Sequence, residues 1–542
     1  MLVTASFLTV VAAFAHVQAS SPSSTAVPVV DLGYAKYQGT YNVTTNTANY
    51  LGIRFAAPPI GSLRWQRPQP PSTVSGVQAA TQQPIQCPQV QLWGKSPTNP
   101  FRNSIVHKRA TSESDMSEDC LFLNVHYPGN TPSKKRLPVL VWIHGGGYGL
   151  GNASDNDGSD LIVSSGHDIV VVVIQYRLGI FGFLSSAQVK ANGALNAGLL
   201  DQEFALQWVQ QHIHKFGGDR TKVTIWGESA GAGSVLFHTI AHNGRTWPPL
   251  FKGAIGSSSV LQSHYRYDDS FPEAVFREVV TQANCSPATQ SLECLRNADW
   301  SVLQAANVNI TNSALFGTFP AIPVVDGDFI TERPSVLLKR GKVNGERLLA
   351  ITNANEGFSL VDRNRTDVDV ANFVREMFPL FTDVEARMAA ETYAGLGTAV
   401  TQLMVLLGDF LFHCPTYIFM DAFKEKSWKG LFAVPPALHG QDLTVYFPNT
   451  PIGIPHSDFN NQQFSNAFTH AFLNFAKTLD PNPPNGSLDI TPNWRQYSTS
   501  QPIEMLFNRT EDYQPDVRPI LSDPAMLRRC AFWDSVAALT GQ

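Results

Sequence analysis

Residues 227–231 read Gly-Glu-Ser-Ala-Gly, a serine held between glycines at the spacing G-x-S-x-G. That spacing suits a strand-to-helix turn so tight that side chains at the glycine positions would clash, and it lifts the serine hydroxyl clear of the backbone. The helix that follows points its partially positive N-terminus at the hydroxyl. Ser229 is therefore the candidate nucleophile, and the small residues Ala232, Gly233 and Ser234 let the helix pack close. A serine hydroxyl also needs a base for its proton and donors for the oxyanion that attack creates. His144-Gly145-Gly146-Gly147 offers bare amides for the second need, so Gly146, Gly147 and Ala230 are the candidate oxyanion donors. Removing one such donor typically costs about 3 to 4 kcal/mol. His144 itself reads as a packing residue of that loop.

These residues need a scaffold, and the chain from about Leu137 to Val260 outlines one. Leu137–Ile143 (LPVLVWI) is an apolar run ending in the glycine cluster. Ile169–Tyr176 (IVVVVIQY) is nearly all β-branched, as expected of a parallel strand buried on both faces. Between Asn196 and Phe216, Leu199, Leu200, Phe204, Trp208, Val209, Ile213 and Phe216 recur at helical spacing, and Gly217-Gly218 stop that helix. Val223–Trp226 is a further strand that breaks straight into the serine turn. Strand, crossover helix, strand, sharp turn and helix is the grammar of a parallel sheet flanked by helices. Reactive groups on such sheets sit at the C-terminal ends of strands.

A G-x-S-x-G turn in this setting resembles that of the α/β-hydrolases, whose chain order is Ser, then Asp or Glu, then His. The base then lies downstream of Ser229, which leaves His238, His242, His264, His413, His439, His456 and His470. His439 stands out in Ala437-Leu438-His439-Gly440, a loop position after Pro435-Pro436. His470 falls at helical spacing with Phe464, Ala467 and Ala471 and reads as a helix residue. For the orienting acid, Glu356 follows Leu348-Leu349-Ala350-Ile351 as a strand-end carboxylate beside Gly357. Asp326 and Asp328, which flank Gly327, are its rivals and read better as a turn.

Bulk properties narrow the class. The 542 residues are 43% hydrophobic and 15% charged, which fits a folded globular chain. The net charge of −5 offers no strong basic field, so neither nucleic acid nor anionic lipid is expected as a partner. Residues 1–19, MLVTASFLTVVAAFAHVQA, read as a signal peptide cleaved after about Ala19, although they carry no Lys or Arg. No later stretch reads as a membrane span, and the C-terminal AALTGQ carries no retention or lipidation signal. An extracellular chain follows, with 20–542 as a single domain, because no repeat or linker interrupts it. Pro481–Gly486 (PNPPNG) reads as a loop. Six cysteines then suggest three disulfides, with fifteen pairings open. Glycan acceptor patterns occur at Asn42, Asn152, Asn284, Asn309, Asn364, Asn485 and Asn508.

Longer motifs carry a closer resemblance. GIRFAAPPIGSLRW (52–65), SEDCLFLNV (117–125), WIHGGGY (142–148), FGGDRTKVTIWGESAGAGS (216–234), PVVDGDFI (323–330), NANEGF (353–358) and LHGQDL (438–443) are similar to the type-B carboxylesterases. That family includes cholinesterases and fungal lipases and esterases, and the similarity spans nearly the whole mature chain. It implies an α/β-hydrolase fold, a large mostly parallel sheet flanked by helices, with long insertions forming a gorge or lid. It implies Glu356 as the acid and His439 as the base, with no metal or organic cofactor. It also implies the pairs Cys87–Cys120, Cys285–Cys294 and Cys414–Cys530, and buried ion pairs Arg54–Glu118 and Arg177–Asp201.

The implied activity is hydrolysis of small-molecule or lipid carboxylic esters through an acyl-enzyme on Ser229. Lipase, sterol esterase and feruloyl esterase specificities compete. The loop between Cys87 and Cys120 is the candidate lid. It mixes Leu92, Trp93, Phe101, Ile105 and Val106 with Lys95, Arg102, Lys108, Arg109, Glu113, Asp115, Glu118 and Asp119, which favours a soluble esterase. A non-enzymatic adhesion module of this fold would lack the nucleophile or the base, and both are present here.

Overall fold

The computed structural model describes residues 24–103, 116–286, 290–449, 454, 456–484, 487 and 489–542. The expected signal segment 1–19 lies outside them, as does Asn485. Twelve strands hydrogen-bond into one sheet. They are β1 (Ser24–Ala26), β2 (Thr40–Asn42), β3 (Thr47–Arg54), β4 (Phe122–Pro128), β5 (Leu137–Ile143) and β6 (Val170–Ile174). Next come β7 (Gly218–Glu228), β8 (Gly253–Ser257), β9 (Arg347–Asn353), β10 (Ser427–Phe432), β11 (Ile503–Arg509) and β12 (Pro515–Leu521). Their spatial order is β1-β2-β3-β4-β6-β5-β7-β8-β9-β10-β11-β12.

The block from β6 to β11 is parallel throughout. Antiparallel pairs close both margins. Covered on both faces, β6 meets no water, which is why it reads as an unbroken apolar run. Alternation still decides which core each side chain enters. In β5, Val139, Val141 and Ile143 join one hydrophobic core, and Leu140 and Trp142 join the other.

Helix α1 (Ala197–His212) continues as a 3₁₀ turn through Ile213–Phe216, and Gly217 at φ 81° ends it. Strand β7 starts at Gly218, ahead of the expected Val223. Its early residues Arg220, Thr221 and Lys222 are exposed, so they carry no apolar signal. Helix α2 (Ala230–Gly244) follows Ser229 directly. Contrary to the sequence expectation, Ala399–Ala422 is long and apolar enough to cross a bilayer; 83% of its most apolar stretch is buried inside the protein. It comprises α3 (Ala399–Gly408), a π-helical turn (Asp409–His413) and α4 (Cys414–Ala422).

All three expected disulfides are formed, with Cα separations of 5.0 Å (Cys87–Cys120), 5.7 Å (Cys285–Cys294) and 5.1 Å (Cys414–Cys530). One expected ion pair is corrected. Glu118 faces inward and binds Arg64 through two hydrogen bonds of 2.7 Å, while its neighbour Asp119 turns outward and takes Arg54. Arg64 also donates to the carbonyls of Arg296 and Ala298, tying two distant segments together. Of the glycan acceptor patterns, those at Asn152 and Asn309 fall on side chains only 5% and 6% exposed.

Arg177 and Asp201 pair as expected, with hydrogen bonds of 2.7 Å from both Nε and Nη2, and both side chains are buried. Burial raises the Asp201 carboxyl, and Arg177 works against that rise. Removing one partner of such a pair leaves an uncompensated buried charge. In urea unfolding, Asp201→Ala is expected to lose about 3 to 5 kcal/mol. The double variant Arg177→Met, Asp201→Leu is expected to regain most of that loss.

Candidate active site

Four neighbouring parallel strands end at one place. Ser229 follows β7, Ser258 follows β8, Glu356 follows β9, and His439 lies in the loop after β10. Ser229 adopts φ 54°, ψ −121°, and its amide donates to Ser257 O at 2.9 Å. A Cβ on Gly227 would lie 2.3 Å from the Gly231 carbonyl carbon, and one on Gly231 would lie 2.0 Å from Ile143 O. Only glycine fits either position, so the motif's spacing follows from backbone contact.

The loops carrying Glu356 and His439 are stitched together. Asn355 N donates to Ala437 O, and Asn355 Nδ2 donates to Pro436 O. His439 Nε2 lies 2.9 Å from Ser229 Oγ, and His439 Nδ1 lies 2.6 Å from Glu356 Oε2. Glu356 is buried, and its other oxygen accepts from Ser258 Oγ and Asn353 N, each at 2.6 Å. Burial alone would raise the Glu356 carboxyl; His439 and these hydrogen bonds reverse that and hold it below the ordinary glutamate range. Glu356 is thus ionised at neutral pH. The arrangement can pass a proton from Ser229 to His439 and stabilise the resulting imidazolium.

Two further carboxylates surround the imidazole. Glu228 Oε1 lies 3.4 Å from His439 Nε2, and Asp442 is held by Asn353 Nδ2 and Tyr446 OH. Burial pushes Glu228 up to about 8, with His439 opposing the rise and Asp442 and Glu356 adding to it. Burial likewise raises Asp442. Burial would lower His439, but Glu228 and Glu356 overcome it and lift the imidazole to about 9. Phe412, in the π-helical turn, packs its ring 4.4 Å from that of His439. Such turns recur at functional sites.

The loop 144–147 passes beside the serine, and a Cβ on Gly145 would come within 3.1 Å of Ser229 Cβ. Among the described residues, the amides of Gly146, Gly147 and Ala230 donate to no protein acceptor. His144 is buried and stacks on Tyr176 with ring centroids 4.4 Å apart; burial lowers it to about 4, so it stays neutral. A cavity of about 490 Å³ opens over Ser229 and His439, walled by Trp93, Val260, Phe319, Leu360 and Phe412. The Phe319 ring packs on Gly147. Of the candidate lid, residues 104–115 lie outside the described residues, among them Ile105, Val106, Lys108, Arg109, Glu113 and Asp115.

The rival groups are engaged elsewhere. Asp326 accepts from the amides of Asp328 and Ile330, the expected turn, and Asp328 pairs with Arg67. His470 sits on α5 (Gln462–Thr478) facing Asp489, and His238, His242 and His264 bond to Gln202, Glu203 and Pro323 O. Sequence reasoning missed Glu228, Ser258, Asn353, Asp442 and Phe412. Glu228, Asn353 and Asp442 lie inside the motifs GESAG, NANEGF and LHGQDL; Ser258 and Phe412 carried no local signal.

A model of the Carboxylesterase family matches residues 26–519. The chain is 32% identical over 498 residues to "Secreted lipase 1" of Botryotinia fuckeliana, covering 84% of this chain and 85% of that protein. It is 30% identical over 557 residues to "Carboxylesterase patB" of Aspergillus clavatus, covering 94% and 96%. The crystal structure of Aspergillus niger EstA superposes with a TM-score of 0.83 at 30% identity, over 95% of this chain and 99% of that one. With the sheet, the serine turn and these likenesses together, the chain belongs to the carboxylesterase family and is a carboxylic ester hydrolase.

Proposed function

We propose that Ser229, His439 and Glu356 form the catalytic triad, with the amides of Gly146, Gly147 and Ala230 as the oxyanion hole. The observation that carries this reading is the continuous hydrogen-bond chain, 2.9 Å from Ser229 to His439 and 2.6 Å from His439 to Glu356. His439 Nε2 takes the Ser229 proton as the oxygen attacks the ester carbonyl carbon, and Glu356 holds the imidazolium in place. The three unoccupied amides receive the oxyanion. The carbon–oxygen bond then breaks, and the alcohol leaves with the proton from His439. Water, deprotonated by the same imidazole, attacks the acyl-enzyme and releases the acid and Ser229.

We read the enzyme as an exported soluble esterase, with residues 1–19 removed from a single mature domain. The three disulfides and the secreted relative support export. Triglyceride hydrolysis is the second reading, favoured by that relative being named a lipase. A hydrolysis panel separates them: p-nitrophenyl esters of rising chain length, feruloyl and cholesteryl esters, and emulsified triglyceride. Highest turnover on short dissolved esters is expected. Activity confined to long chains above the emulsion threshold would overturn the esterase reading.

Ser229→Ala and His439→Ala are each expected to lower kcat about a millionfold in that assay. Glu356→Gln, which keeps the shape and removes the charge, is expected to cost about 10⁴-fold. A second expectation concerns pH. The base must be neutral, so kcat/KM falls on the acid side as His439 gains a proton. Glu228 stabilises the protonated imidazole, so Glu228→Gln lowers the His439 pKa and moves the acid limb to lower pH by about one unit. Because the imidazolium also forms in the transition state, kcat at the plateau falls. An unmoved limb would exclude Glu228 from the electrostatics of the base.

A further inference from the structure

The end of the sheet remote from Ser229 carries a second set of features that ester hydrolysis does not use. A groove of about 890 Å³ runs along the start of β7 and the C-terminal end of α2, and Trp247 forms part of its wall. Trp247 is 85% exposed, and it is the one exposed tryptophan among ten. Large aromatic side chains are ordinarily buried, so a nearly bare indole beside a concavity marks a contact surface.

Its backbone is anchored. Thr246 N donates to Asn344 Oδ1, while Asn344 Nδ2 donates to Thr246 Oγ1 and to the carbonyls of His238 and Ala241. Pro248 and Pro249 fix the chain on the other side, and Leu250 and Phe251 plug into the core. A backbone anchored on both sides loses little conformational freedom when something stacks on the ring it presents.

Charge identifies the class of ligand. The groove meets a second one of about 730 Å³, and Arg245 lines both. Among the described residues, Arg220, Arg245, Lys342, Lys424 and Lys426 line these grooves without a carboxylate partner. Lys252 and Arg347 line them as well, Lys252 bound to Glu346. The two acids that line them are both engaged, Glu346 there and Glu203 with His242. A concentrated basic strip on a chain of net charge −5 is a local choice, not a reflection of composition. The side-chain amides of Gln207 and Gln211 also face the groove, with no hydrogen bond inside the described protein.

We propose that this double groove binds an acidic polysaccharide, a chain of sugar rings bearing carboxylates. The apolar face of one ring stacks on Trp247, hydroxyls take the glutamine amides, and carboxylates pair with the unpartnered cations. A concave wall with one aromatic and several amides suits a chain of rings better than a membrane, which is met by a convex apolar face. Arg220 lies nine positions before Ser229 along β7, about 30 Å at the rise of a strand. A polymer held there leaves the mouth over Ser229 open.

Affinity electrophoresis of the full chain through gels containing polygalacturonate tests this. Retardation is expected, weakening as salt rises. Trp247→Ala is expected to weaken binding about tenfold, and Arg245→Ala with Lys424→Ala at least as much. Turnover of a dissolved p-nitrophenyl ester should stay unchanged in all three proteins, showing that they fold. The proposal is overturned by no retardation, by equal retardation in neutral dextran, or by full retention in Trp247→Ala. It is also overturned if phosphatidylserine vesicles or a single-stranded oligonucleotide bind through Trp247 while polygalacturonate does not.

Discussion

A single residue held in a left-handed conformation organises the centre of this protein. Ser229 sits at φ 54°, ψ −121°, a backbone state that costs on the order of 1 to 3 kcal/mol and persists only when its surroundings enforce it. Enforcement comes from three neighbours. Gly227 and Gly231 approach within contact of each other, Gly231 lies against Ile143 O, and the Ser229 amide is tied to Ser257 O. Because β5, β7 and β8 lie side by side, the glycine loop after β5 and the serine after β7 emerge together. The parallel sheet therefore sets the distance between Ser229 and the amides of Gly146 and Gly147 before any side chain is chosen.

The second organising feature is charge separation among like groups. Three carboxyls, Glu228, Glu356 and Asp442, surround one imidazole in a buried space. Each lies close enough to the others for their like charges to oppose one another. Glu356 alone receives hydrogen bonds from Ser258, Asn353 and His439 together, and it alone is held below the ordinary carboxyl range. Glu228 and Asp442 are left raised by burial. Environment, not residue type, separates the lowered carboxyl of Glu356 from the raised ones of Glu228 and Asp442.

Much of this was legible in the sequence because it depends on local constraint. The glycines at 227 and 231 encode a backbone clash, and the valine run of β6 encodes burial on both faces. Glu356 and His439 were harder, since nothing local says that Asn355 and the 436–437 carbonyls will join their loops. That information is tertiary. Ser258 looks like any serine after a strand, and Phe412 acquires its place only through a π-helical turn. The Arg54–Glu118 expectation failed for a similar reason: adjacent acids at 118 and 119 face opposite ways, and the sequence does not say which faces in. The apolar helix 399–422 was overlooked as a span-length segment because its polar interruptions, Asp409 and His413, fall in that same turn.

Composition also conceals distribution. A net charge of −5 argued against a strong basic field, yet the end of the sheet remote from Ser229 gathers unpartnered cations around an exposed indole. The central claim remains the reactivity of one serine, and covalent labelling tests it most directly. The folded protein, treated with a fluorescent alkyl phosphonate and mapped by peptide mass spectrometry, should carry one adduct, on Ser229. That adduct should be lost in His439→Ala. An unlabelled Ser229 in folded protein, or an adduct on another serine such as Ser258, would contradict the account.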